Sequence, residues 1–270
     1  MKPLIRLMMA AVVAVGLIGP AGPAVAAGHP RFSALVFSKT AAFRHDSIPA
    51  GVAAIRQLGA RHHFRVDATE DAAAFTDANL ARYDVVVWLS TTGDVLTDAQ
   101  QGAFERYIRA GGGYAGIHAA SDTEYDWAWY GGLVGAYFRD HPGSVNPQFQ
   151  VATVNVLRRD TAATRPLPRR WEREEEWYNF RTNPRSTVRV LAEVDERTYD
   201  PRGYSVPGGS PGMGRHHPVS WCQPYDGGRA FYTAMGHKPE YYSEPLLLAH
   251  LLGGIRMAAG VARFACGRED

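Results

Sequence analysis

The sequence predicts an α/β protein in which a parallel sheet is wrapped on both faces by helices and carries an antiparallel extension. Three observations support this. Short apolar runs of strand type alternate with helical segments from Ala34 to Ile117, a rhythm that right-handed crossovers turn into a parallel sheet. Asp84-Val85-Val86-Val87-Trp88-Leu89 is almost wholly apolar, as a strand covered on both faces must be. After Gly143, strand-like segments follow one another without convincing helices between them.

Taken in order, Ala34-Leu35-Val36-Phe37 is the first strand, and Ser47-Ile48-Pro49 opens a helix through Leu58. The proline sits in the first turn, where its missing N–H costs nothing. Phe64-Arg65-Val66 reads as the second strand, Leu80 and Tyr83 as a brief helical segment, and residues 84–89 as the third strand. Thr97 and Gln100 have capping-box spacing and start a helix that runs to Ala110 and stops at Gly111-Gly112-Gly113. Tyr114-Ala115-Gly116-Ile117 is the fourth strand. Phe149 to Val156 and Thr187 to Leu191 form the antiparallel part, and a Gly/Pro-rich stretch between Thr198 and Pro218 is a long loop. Gly228 to Thr233 returns as a strand. Pro245 to Ala259 is a helix that gathers Leu246, Leu247, Ala249, His250 and Leu251 toward a buried face.

The chain begins with Lys2 and Arg6, an apolar stretch from Leu7 to Ile18, and the small-x-small pattern Ala24-Val25-Ala26. That is the order of a secretory signal peptide, so residues 1–26 are expected to be removed and residues 27–270 to form one secreted domain. No later apolar stretch is long enough to cross a membrane. The 29 Lys and Arg are scattered and nearly balanced by 27 Asp and Glu, which speaks against nucleic acid or an acidic membrane as partner and leaves a small molecule. The oligomeric state is open. Cys222 and Cys266 are the only cysteines and invite one disulfide in an oxidising compartment, two buried thiols being the alternative.

Ligands of doubly wound sheets sit beyond the carboxyl ends of the strands, which directs attention to His45, His118 and Asp122, and His237. His217 lies on the other side of the last strand. Gly116-Ile117-His118-Ala119-Ala120 has the layout of a nucleophile elbow with histidine at the tip, which excludes cysteine-based amidotransfer there. A helix N-terminus facing His118 would favour its neutral form, as base or metal ligand. Trp171 to Phe180 combines acids with aromatics, and Glu176 beside Trp177 and Tyr178 suits a polyol ring, whose C–H face stacks while its hydroxyls seek acceptors. The bland alternative is a solvated charge run. Trp127 and Tyr130 offer a second aromatic group, unless they belong to the core. Gly208-Gly209-Ser210-Pro211-Gly212 has the letters of a serine-hydrolase elbow but lies in the Gly/Pro-rich loop. Gly111 to Gly116 matches a dinucleotide fingerprint but precedes its strand instead of following it.

Together, Phe43-Arg44-His45-Asp46-Ser47-Ile48, Gly111 through His118, Leu133-Val134-Gly135-Ala136-Tyr137-Phe138 with His141-Pro142, Glu175-Glu176-Trp177-Tyr178, and Gly228 through His237 resemble the trehalose-utilisation (ThuA-like) family. The resemblance spans nearly the whole mature chain. It implies a flavodoxin-type, class I glutamine-amidotransferase-like sheet without the amidotransferase cysteine, and a link to sugar metabolism. Two positions depart from the family pattern: Glu175 stands where Asp is common, and Arg165-Pro166 where His-Pro is common.

The leading expectation is an enzyme, a hydrolase, lyase or isomerase, acting on a sugar or oxidised sugar. In it His118 and His237 supply a base or ligand and Glu176 a second acid/base group. His45, Asp122, Trp127, Tyr130, Trp177, Tyr178 and His217 are the expected ligand contacts. Imidazoles with a carboxylate suit zinc and related ions, with His118, His141 and His237 as candidate ligands, although no compact spacing such as H-E-x-x-H accompanies them. The alternative is a carbohydrate-binding protein without chemistry.

Overall fold

The computed structural model describes residues 31–204 and 209–267, so the signal-peptide expectation and Gly208 fall outside the described residues. In chain order the strands are β1 (Ser33–Phe37), β2 (Arg65–Thr69), β3 (Val85–Leu89), β4 (Gly113–Ile117), β5 (Phe138–Asp140) and β6 (Gln150–Val156). β7 (Arg170–Glu175), β8 (Asn179–Phe180), β9 (Arg189–Val194), β10 (Pro218–Tyr225) and β11 (Gly228–Thr233) follow. The helices are α1 (Ile48–His62), α2 (Asp77–Leu80), α3 (Asp98–Arg109), α4 (Ala128–Val134) and α5 (Pro245–Ala258).

Nine strands form one sheet in the order β2-β1-β3-β4-β11-β10-β9-β6-β7. The first five are mutually parallel, and every pairing from β11 outward is antiparallel. This is the predicted α/β architecture with its antiparallel extension. The β1 to β2 crossover steps one way along the sheet and the β3 to β4 crossover the other, so right-handed connections put α1 and α3 on opposite faces. α1 buries Ile48, Ala54, Ile55 and Leu58 at helical spacing and runs one turn beyond Leu58. It ends at His63, whose left-handed φ of 59° lets its N–H reach the Gly59 carbonyl. The Thr97 capping box forms as read, its backbone N–H donating to Gln100.

The short ladder of β5 and β8 was not read from the sequence, and neither were two strands of the main sheet. β10 contains Pro218 and Pro224, which lack the ladder donor and obscure a strand signal. β7 reads as a charge run, yet Trp171, Arg173 and Glu175 alternate inward while Glu172 and Glu174 stay out. Only its outer face is the solvated run of the bland reading. β2 also runs on to Thr69 because it pairs with β1 along its whole length.

Cys222 on β10 and Cys266 in the C-terminal tail form the expected disulfide, with Cα atoms 5.5 Å apart. It closes a loop of 44 residues, so Cys266→Ser is expected to lower the unfolding free energy by roughly 4 kcal/mol in the chain-entropy account. Urea unfolding of both proteins under non-reducing conditions measures this; equal midpoints would refute it. On α5, His250 is fully buried between Ser220 Oγ (3.1 Å) and the Ala163 carbonyl (2.9 Å), and burial pushes it down to about 4. The folded state therefore holds a neutral imidazole. Its stabilisation is complete above the ordinary value of 6.5 and is lost as pH falls toward about 4, at a cost of roughly 3 kcal/mol. Unfolding titrations at pH 7 and pH 4.5 should show that loss, and a His250→Gln variant should show a flatter slope; an unchanged slope would clear His250.

Candidate active site

Parallel strands end on one edge, and here that edge gathers chemistry. The loop after β1 brings Phe43 and His45, the turn after β4 brings His118 and Asp122, and the segment after β11 brings His237. From the extension, β7 runs out into Glu176 and Tyr178, and the small β5–β8 ladder adds Phe138 and His141. Apart from His118, which lies beneath the floor, all of these line a cavity of about 200 Å³, together with Gln148 and Tyr204. A larger groove beside β9 is lined by Glu193, Asp195 and Arg197, which are occupied in surface ion pairs.

His118 sits at the elbow with φ of 52°, a conformation that few non-glycine residues adopt and that throws its ring up from the strand end. The ring is fully buried. Its Nδ1 lies 2.7 Å from the Ala234 carbonyl, which can only accept, so the proton is on Nδ1 and the lone pair on Nε2. Around that Nε2 stand His45 Nε2 at 3.1 Å, His237 Nδ1 at 3.1 Å and the Tyr178 hydroxyl at 2.9 Å. Glu176 Oε2 is 2.8 Å from His237 Nδ1 and 3.5 Å from His118 Nε2, and its other oxygen is 3.2 Å from His141 Nε2. His45, His118, His237 and Glu176 each offer one ligand atom within 4.8 Å of all the others, enough to hold a metal ion.

Burial keeps the inner imidazoles neutral. It pushes His45 down to about 4 and His118 well below its ordinary value, each helped by the neighbouring histidines. The expected helix N-terminus is not the cause at His118, because only one short 3₁₀ turn, His118–Ser121, follows it. Burial alone would raise Glu176, but the hydrogen bond from His237 and the charge of His141 outweigh it and hold the carboxyl below its usual range. Asp122 goes the other way: burial raises it, against the hydrogen bond from the Tyr125 hydroxyl at 2.6 Å.

Of the residues selected from sequence, His45, Asp122, His141, Glu176, Tyr178 and His237 meet at this pocket, with His118 beneath it. Four do not line it. Trp127 and Tyr130 stack in the core, Trp127 donating to Glu105 and Tyr130 to the Ala120 carbonyl. Trp177 is buried against Tyr199 with its indole N–H on the Gln150 carbonyl. His217 lies behind the wall, its Nε2 2.7 Å from the Tyr178 carbonyl, where it positions that residue. Ser210 is fully buried, donates to Asp140 and does not line the pocket. The His-Pro pair at the pocket is His141-Pro142, and nothing at the site depends on Arg165-Pro166.

Sequence reading missed Phe43, Phe138, Gln148 and Tyr204 as lining residues and overlooked what Arg173 and Glu175 do. The fully buried Glu175 carboxylate accepts from Arg173 (2.9 Å) and from the backbone N–H groups of Glu176 (3.1 Å), Gly236 (2.9 Å) and His237 (3.2 Å). It thereby ties the end of β7 to the loop after β11 and places Glu176 against His237. The period-two alternation of Trp171, Arg173 and Glu175 was the available signal. Arg173→Met would strand a buried carboxylate with backbone partners only, so it is expected to cost roughly 3–5 kcal/mol of stability by urea unfolding. An Arg173→Met/Glu175→Gln double variant should recover part of the loss; if both are equally unstable, the ion pair is not the cause.

Comparison with known proteins agrees with this architecture. The ThuA family, described as trehalose utilisation, matches residues 33–258. A ThuA-like protein from Bacteroides uniformis ATCC 8492 is 23% identical, with a TM-score of 0.68 over 88% of this chain and 94% of that one. Another, from Parabacteroides merdae ATCC 43184, is 19% identical, with a TM-score of 0.64 over 85% of this chain and 90% of that one. A β-galactosidase from Bacillus circulans sp. alkalophilus shares the fold over 31% of its own length and 84% of this chain, at 12% identity and a TM-score of 0.52. No curated protein matches the sequence. With the family match running from β1 into the last turn of α5, the chain belongs to the ThuA family, and its role lies in carbohydrate metabolism.

Proposed function

We propose that this protein is an enzyme that processes a sugar, or an oxidised sugar, by proton transfer at a single ring. The observation that supports this most is the meeting of three imidazoles and a carboxylate at the floor of a pocket with aromatic walls. About 200 Å³ is room for one monosaccharide ring. Phe138 and Tyr178, with ring centroids 4.4 Å apart, offer faces for its C–H side, and Asp122, Gln148 and Glu176 offer partners for its hydroxyls. Among the described lining residues there is neither Arg nor Lys, which favours a neutral ring over a sugar phosphate.

In this reading the reacting oxygen lies over the group formed by His118, His237 and Glu176, and Asp122 on the pocket wall exchanges the proton. Its raised carboxyl is closer to working pH than an ordinary aspartate, which is where a general acid or base is efficient. The disulfide supports the further expectation that the protein works after export, in an oxidising compartment.

The test is turnover of glucose, trehalose and their oxidised forms followed by NMR, with sugar binding measured by calorimetry. Asp122→Asn and Glu176→Gln should each lower turnover by roughly 10²–10⁴-fold while sugar still binds. If the substitutions change affinity alone and no sugar is converted by the parent protein, the pocket is a binding site without chemistry.

A further inference from the structure

We infer that His45 Nε2, His118 Nε2, His237 Nδ1 and one oxygen of Glu176 hold a single divalent cation, with zinc the best match. The inference rests on the same site as the functional reading above and supplies the means by which that site would activate an oxygen.

The spacing of the ligand atoms is the first support. Zinc bonds of 2.0–2.1 Å in a tetrahedron put neighbouring ligand atoms roughly 3.3 Å apart. The distances here are 3.1 Å from His118 to His45, 3.1 Å to His237, 3.5 Å to Glu176, and 2.8 Å between His237 and Glu176. These four bracket the tetrahedral edge; the two remaining pairs, from His45 to His237 and to Glu176, lie within 4.8 Å, so His45 closes in on the other three when an ion binds.

Proton counting is the second. With its proton committed to the Ala234 carbonyl, His118 has one lone pair, on Nε2, facing three groups at once. His45 Nδ1 is buried and has no hydrogen-bond partner. If His45 carries its proton there, its Nε2 lone pair points at the lone pair of His118 across 3.1 Å, which is repulsive. If it carries the proton on Nε2, a bare acceptor is left buried at Nδ1. A cation between the rings turns opposed lone pairs into bonds, leaving the His45 Nδ1 proton and the Tyr178 hydroxyl, which loses the His118 lone pair, to find partners elsewhere.

The donor set sets the class of ion. Three imidazoles and one carboxylate, without a thiolate, suit zinc and its neighbours rather than a soft ion or calcium. The set differs from that expected from sequence: His45 and Glu176 enter it, while His141 stands behind the carboxylate, its Nε2 on Glu176 Oε1. There, with Gln148 donating to the same oxygen, it orients a ligand. His45, Glu176 and His237 also line the pocket, so a bound ion would face the sugar. Such an ion polarises a bound oxygen and lowers the pKa of a bound water.

The purified full-length protein, stripped with a chelator and dialysed, is titrated with ZnCl₂ by calorimetry and with CoCl₂ by visible absorption. One zinc per chain is expected, with the intense absorption of tetrahedral cobalt. His237→Ala and Glu176→Gln should each weaken zinc binding by more than tenfold, His237→Ala without moving the unfolding midpoint of the stripped protein, and His141→Ala should keep the stoichiometry. His237 is the first choice because it is partly exposed, whereas a change at sealed His118 also opens a cavity. Folded protein that binds none of zinc, cobalt, nickel or manganese more tightly than about 1 mM overturns the inference, as does binding unchanged in both variants. Turnover by stripped protein would sink the ion's part in activating the oxygen and leave the functional reading standing. A stoichiometric ion in a protein inert toward every sugar would do the reverse.

Discussion

The molecule depends on a constraint of parallel sheets. Strands that run the same way must finish on the same edge, so the segments after β1, β4 and β11 emerge side by side although 73 residues separate His45 from His118 and 119 separate His118 from His237. Each strand is short and buried, which makes its end a rigid platform. The cleft lies where β1 and β3 send their connections to opposite faces and the edge opens.

A second constraint is electrostatic. Placing imidazoles and carboxylates under a lid of aromatic rings is unfavourable unless every charge has a partner. Glu175 meets that demand with Arg173 and three backbone N–H groups, and the same bonds hold Glu176 and the His237 backbone in place. Behind Tyr178, His217 is fixed in turn by Glu196 at 2.8 Å and Tyr199 at 3.1 Å. The antiparallel extension thus does more than widen the sheet. It delivers the acid and the aromatic wall to an edge whose histidines come from the parallel half, and the disulfide pins the end of the chain to that extension.

Most of the fold was legible because its signals are local. The apolar run of β3, the Thr97–Gln100 box and the proline in the first turn of α1 depend on neighbours within a few residues. The strands of the main sheet that escaped, β7 and β10, carry charges and prolines whose tolerance is decided by tertiary packing: Arg173 is buried because its neighbour Glu175 and the distant Glu244 receive it. Likewise Trp127, Tyr130 and Trp177 have the composition of a sugar platform, yet their rings fill the core, because an aromatic ring gains as much from burial as from a ligand.

By itself, then, the sequence determined the α/β class, the family resemblance and the strand-end rule that singles out His45, His118 and His237, while it left the two cysteines either paired or as buried thiols until the structure paired them. Strand ends can be read locally, and that rule holds in any doubly wound sheet. Only the tertiary structure decided that these three rings meet with Glu176 within 4.8 Å, that His118 lies sealed beneath the pocket, and that His217 supports the wall from behind. Those outcomes turn on ångström-scale distances between side chains far apart in the chain, which packing sets and no local pattern encodes.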